Sequence, residues 1–178
     1  RRIRPIHIWQ SAAAILFLLL ASSVYLSTVG TKAETDLLQQ YIPIAEMRSL
    51  TLPDGTKVQL NSKSTLLYPQ EFTGDSRSVF LLGEANFKVK PDKKRPFIVK
   101  SNDLQITALG TEFNVSAYPE SQEIATTLIS GSIRVDYNNL TTSVILHPNE
   151  QFAYNRNNKK YDLSNPDMDD VTAWQRGE

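Results

Sequence analysis

The chain has 178 residues, and its 19 Lys and Arg are balanced by 19 Asp and Glu. A net charge of zero leaves no electrostatic footprint for nucleic acid. There is no cysteine, which removes disulfides, thiol catalysis and cysteine metal sites.

The first element in chain order is apolar. From Ile8 to Val29 no residue is charged, and these 22 residues, if helical, span roughly 33 Å, enough for a hydrocarbon core of about 30 Å. Leu16, Leu18, Leu19 and Leu20 form its apolar centre, and Trp9 and Tyr25 lie near its ends, where interfacial aromatics sit. Arg1, Arg2 and Arg4 precede the run, and Lys32, Glu34 and Asp36 follow it. The positive-inside rule then puts the N-terminus in the cytoplasm and the remainder outside. A cleaved signal peptide is the competing reading, but its apolar region is usually about 7–15 residues and ends in a small-x-small site that is not evident here. The chain begins with Arg1, not Met, which reads as a fragment. The expected organisation is a cytoplasmic end at 1–7, a membrane helix at 8–29, a stalk at 30–46, an all-β domain at 47–160, and at 161–178 a linker opening a further module.

Beyond residue 46 turn signals recur roughly every 8–12 residues, the mark of short strands. Ser49–Leu52 and Lys57–Leu60 flank Pro53-Asp54-Gly55-Thr56 and predict a hairpin. Strands are expected at Thr65–Tyr68, then at Ser78–Leu82 and Ala85–Lys90 on either side of Gly83-Glu84. Alternating apolar positions continue through Phe97–Val99, Leu104–Ala108, Phe113–Ala117, Ile124–Leu128, Ile133–Tyr137, Val144–Leu146 and Gln151–Tyr154. About a dozen short strands suit an all-β compact roll, a β-helix-like stack or a sandwich, and periodicity does not choose among them. Asn165 or Asp167 is expected to cap a short helix running through Val171–Trp174.

Chemistry is sparse. His7 and His147 have no ligand partner at helical spacing, so no metal site and no cofactor are expected. No histidine pairs with a serine nucleophile. Lys93-Lys94-Arg95 reads as a solvated loop between strands. Gly110-Thr111 lies between two strands. A threonine after a glycine at a strained turn can attack the preceding carbonyl and convert amide to ester. On the residues alone the plainer reading holds: Gly110 turns the chain and Thr111 starts a strand.

The motifs together resemble the exported domain of FecR-type anti-sigma regulators over roughly residues 45–140. The resemblance rests on Leu52-Pro53-Asp54-Gly55-Thr56-Lys57-Val58-Gln59-Leu60-Asn61 and Leu82-Gly83-Glu84-Ala85-Asn86-Phe87-Lys88-Val89. It continues in Leu109-Gly110-Thr111-Glu112-Phe113-Asn114-Val115 and Ile129-Ser130-Gly131-Ser132-Ile133-Arg134-Val135. It implies a single-pass inner-membrane protein with a periplasmic β domain, a Bacteroidetes-like variant lacking both ends here. Such a regulator relays a signal from an outer-membrane TonB-dependent transducer to an extracytoplasmic-function (ECF) sigma factor, held by a cytoplasmic domain upstream of Arg1. Ala173–Glu178 resembles the junction into a secretin-and-TonB N-terminal-like module. Some members cleave themselves within this Gly-Thr motif, which would make Thr111 the nucleophile and the bond after Gly110 the scissile one. The remaining motif residues, Pro53, Asp54, Gly55, Gly83, Glu84, Phe113 and Gly131, are expected to shape the fold. The alternative function is a membrane-tethered ligand- or glycan-binding β domain, with Tyr68, Phe72, Tyr118 and Tyr154 as candidate exposed aromatics.

Overall fold

The structure is a computed structural model that describes residues 14–24 and 37–177. The chain divides into two units, 1–35 and 36–178. In the first, residues 14–24 form helix α1, about 16 Å long at 1.5 Å per residue. Leu16, Leu18, Leu19 and Leu20 are all more than half exposed, and the Ser22 hydroxyl donates back to the Leu19 carbonyl at 2.9 Å. No helix among the described residues is long and apolar enough to cross a membrane. The rest of the apolar run at 8–29, including Trp9, lies outside the described residues.

The second unit is built from strands, thirteen in one connected sheet. They are β1 (Leu37–Tyr41), β2 (Arg48–Thr51), β3 (Lys57–Leu60), β4 (Thr65–Pro69), β5 (Arg77–Lys88), β6 (Phe97–Lys100) and β7 (Gln105–Ala108). There follow β8 (Glu112–Ala117), β9 (Glu123–Ser130), β10 (Ile133–Tyr137), β11 (Thr142–Leu146), β12 (Gln151–Asn155) and β13 (Tyr161–Ser164). The sheet folds over along β5 into two leaves. The first half of β5 pairs with β4 and β6, and its second half pairs with β3 and β8. One leaf therefore runs β1-β4-β5-β6-β7-β10-β11, and the other β2-β3-β5-β8-β9-β12-β13.

Sequence explains why β5 holds together through the bend. Arg77, Val79, Leu81, Gly83, Ala85 and Phe87 are all buried, so the period of two runs unbroken through its 12 residues. The two strands expected on either side of Gly83-Glu84 are therefore one. Gly83 has φ +95°, and a Cβ there would stand 2.7 Å from the Ser64 Cα. Only glycine fits both that backbone angle and that contact.

The core lies between the leaves. Phe87 stacks on Phe113 within one leaf at 5.4 Å and meets Phe97 of the other at 5.9 Å. At the far end Tyr137 of β10 meets Phe152 of β12 at 5.3 Å. Such ring pairs add about 0.5–1.5 kcal/mol each beyond their buried area.

The all-β expectation and the rolled form match this architecture. The β-helix-like alternative does not: the ladders are antiparallel except β5–β6, whereas coils stacked in a β-helix pair in parallel. Two strands were not anticipated. Leu37–Tyr41, read as stalk, is β1 on the edge of β4, and Tyr161–Ser164, read as linker, is β13 on the edge of β12. Asp167 caps helix α2 (Met168–Thr172), accepting from the Asp169 N–H at 2.9 Å, and a 3-10 turn follows at Ala173–Arg176. Asn165 instead donates its side-chain amide to the Asn149 carbonyl.

Two substitutions probe the backbone. Gly83→Ala is expected to lower unfolding free energy by about 2–4 kcal/mol, since it meets both a positive φ and a backbone clash. Leu140 sits in the β10–β11 turn at φ +64°, so Leu140→Gly should raise stability by about 1 kcal/mol. Urea titrations of the variants measure both.

Candidate functional site

The motif residues gather at the places where the chain changes direction or leaf. The first is the β2–β3 turn. Asp54 accepts from the Thr56 N–H at 2.9 Å and from its hydroxyl at 2.7 Å, closing the turn around Gly55. Its carboxylate also receives Arg77 Nη1 at 2.7 Å, with both side chains almost fully buried. The guanidinium donates further to the Arg95 carbonyl from Nε and to the Lys90 carbonyl from Nη1, each at 2.9 Å. It lies 5.6 Å from the Phe97 ring centre. The Lys90 N–H completes the knot by donating to Thr56 Oγ1 at 3.1 Å. One buried ion pair thus ties together the β2–β3 turn, the start of β5 and the loop that leaves it.

The second gathering surrounds Glu84, just past the bend. Its carboxylate accepts from Asn61 Nδ2 and Asn114 Nδ2, both at 2.8 Å, linking β5 to β8 and to the end of β3. Ser64 Oγ accepts from the Glu84 N–H at 2.8 Å and donates to the Glu84 carbonyl at 3.0 Å.

The third is the passage from β7 to β8. Gly110 has φ +154°, and a Cβ there would stand 2.9 Å from the Pro91 Cα. The Thr111 methyl fills the space that a Cβ on Gly131 would need, at 2.6 Å. Thr111 is 7% exposed, and its hydroxyl has no hydrogen-bond partner. Phe113, the next inward residue on β8, carries this corner into the aromatic core. The structure thus places Gly110, Thr111, Phe113 and Gly131 together, and Pro53, Asp54 and Gly55 on the Arg77 knot.

Chemical equipment is limited. No group of three or more His, Asp or Glu among the described residues could hold a metal ion. His147 faces Glu150 at 3.3 Å on the surface, and no hydrogen bond aligns a base on the Thr111 hydroxyl. The four aromatics considered for ligand binding are otherwise engaged. Phe72 packs edge-on against Phe97, Tyr154 stacks with Phe152, Tyr118 donates to the Ser62 carbonyl, and Tyr68 packs against the core.

Sequence reading did not single out Arg77, Asn61 or Asn114 as functional. For Arg77 a signal existed: it lies two and four residues before Val79 and Leu81, on the inward parity of β5, where a charge needs a buried partner. Truncating Asp54 to Ala strands that charge, so stability should fall by about 3–5 kcal/mol. The double change Asp54→Leu with Arg77→Met removes both charges and should recover much of the loss. Denaturant midpoints of the two variants provide the comparison.

The family model described as FecR protein matches residues 42–134. The fold matches a crystal structure of a candidate anti-sigma factor from Parabacteroides distasonis ATCC 8503 at 2.50 Å resolution. The TM-score is 0.77 at 39% identity, covering 80% of this chain and 66% of that one. A second structure with the same description, at 1.65 Å resolution, matches with TM-score 0.76 at 38% identity, covering 79% of this chain and 65% of the other. The chain therefore spans about two thirds of the length of these neighbours. A search of curated proteins gives no match.

Proposed function

The chain belongs to the FecR family, and from that premise we propose that it is the membrane-linked, exported part of an anti-sigma regulator. The observation that carries this reading is the FecR match at residues 42–134, strengthened by the anti-sigma description of a structure 39% identical over 80% of the chain. In this proposal residues 8–29 cross the inner membrane, the N-terminus faces the cytoplasm and the β domain stands in the periplasm. An outer-membrane TonB-dependent transducer reports its state to the exported part, and an ECF sigma factor is held or released on the other side. The β domain acts by contact rather than by turnover, and Gly110-Thr111 serves as a structural corner. The packing of Thr111 into the hollow of Gly131 supports that role.

Three measurements test the proposal. Affinity purification of the whole protein containing this chain is expected to bring down an ECF sigma factor, and repeated failure to do so sinks the regulator reading. The absence of native cysteine makes topology directly readable. A cysteine at Lys160 should react with an impermeant maleimide in cells with a permeabilised outer membrane. One at Ile3 should react only after lysis, and the reverse pattern refutes the orientation. The wild-type chain and Thr111→Ala should both run as one intact band on a denaturing gel. Two wild-type fragments restored to one by Thr111→Ala would instead assign Thr111 as a self-cleaving nucleophile.

A further inference from the structure

Beside the Asp54 turn, Gly55, Lys57, Lys88, Lys90, Pro91, Gly110 and Thr111 line a depression of about 350 Å³. Lys57 and Lys88 are direct cross-strand partners, an arrangement in which like charges repel. Lys90 folds over the turn, its Cδ 3.1 Å and its Nζ 3.5 Å from the position of a Cβ on Gly55. One carboxylate in the lining answers these charges: Glu112, which pairs with Lys88 at 3.2 Å. Among the described residues no carboxylate pairs with Lys57 or Lys90. Asp92, on the adjoining loop, is already engaged by the Lys94 and Arg95 N–H groups and the Arg95 side chain.

We propose that this depression binds a small oxyanion, a phosphate or a carboxylate group, held by Lys57, Lys88 and Lys90. Three lysines against one carboxylate in the lining, in a chain of zero net charge, give a local positive potential, and charge-assisted hydrogen bonds are the strong ones. The inference draws only on residues of the β unit and does not depend on the regulator reading.

The test is an amide chemical-shift titration of the full 178-residue chain in detergent micelles, at constant ionic strength. Inorganic phosphate and acetate are titrated separately against chloride. Saturable shifts at Gly55, Gly110 and Thr111 are expected. A response to phosphate alone identifies a phosphate group as the ligand, and a response to acetate identifies a carboxylate. The double variant Lys57→Gln with Lys90→Gln should weaken binding by roughly tenfold. Lys160→Gln, remote in sequence and outside the depression's lining, should leave it unchanged. Absence of saturation with both anions, or wild-type affinity in the double lysine variant, overturns the proposal.

Discussion

A strand that hydrogen-bonds in two leaves must bend without losing its inward-outward parity, and in β5 the bend falls on Gly83. Several side-chain contacts of the β unit meet at that bend. Ser64 lies beneath the bend and both accepts from and donates to the Glu84 backbone. Glu84 then reaches Asn61 and Asn114, so the neighbours of β5 are fixed at the point where it changes partners. The strand's parity places Phe87 between Phe97 and Phe113. A bend that flipped the parity would put those rings in water and break the contact between leaves.

The buried Asp54–Arg77 pair sets where β5 begins. An ion pair removed from water is weak evidence for net stability, because desolvation offsets most of the attraction. Its hydrogen bonds are more telling. Arg77 reaches two backbone carbonyls and Asp54 reaches a backbone N–H and a hydroxyl, so the pair specifies the geometry of three chain segments at once. A hydrophobic replacement could match its energy without fixing that geometry. The Gly110–Thr111–Gly131 corner works by shape instead: a methyl fills the hollow left by a missing Cβ.

Much of this was legible in the residues, and the reasons for the exceptions are physical. The β2–β3 hairpin was readable because Pro53, Asp54 and Gly55 have strong local preferences. Strands β8 and β10 were readable because apolar residues alternate with polar ones along them. The continuity of β5 was obscured by Gly83-Glu84, which reads as a turn when the close approach of Ser64 is unknown. β1 has no fully buried side chain and finds its partner β4 far along the chain, so its sequence carries little strand pattern. β13 is similarly exposed. Leaf assignment was not legible, because β10 joins β7 and β12 joins β9 through pairings that local preference does not encode. Of the candidate site, the turn-forming members were visible. Arg77 was not recognised because a charged residue reads as surface until its parity is taken into account.

The edge position of β1 has a mechanical consequence. The chain enters the β unit through five residues paired on one side to β4, none of them fully buried. Tension transmitted along the backbone from residue 36 would peel these pairs away successively, from Leu37 towards Tyr41, with little apolar surface exposed. The next residue, Ile42, is completely buried, and its N–H is held by the Ser64 carbonyl at 2.8 Å. The same serine supports the bend in β5. A load on the N-terminal side therefore meets its first firm anchorage at Ile42, one hydrogen bond from the crease on which both leaves turn.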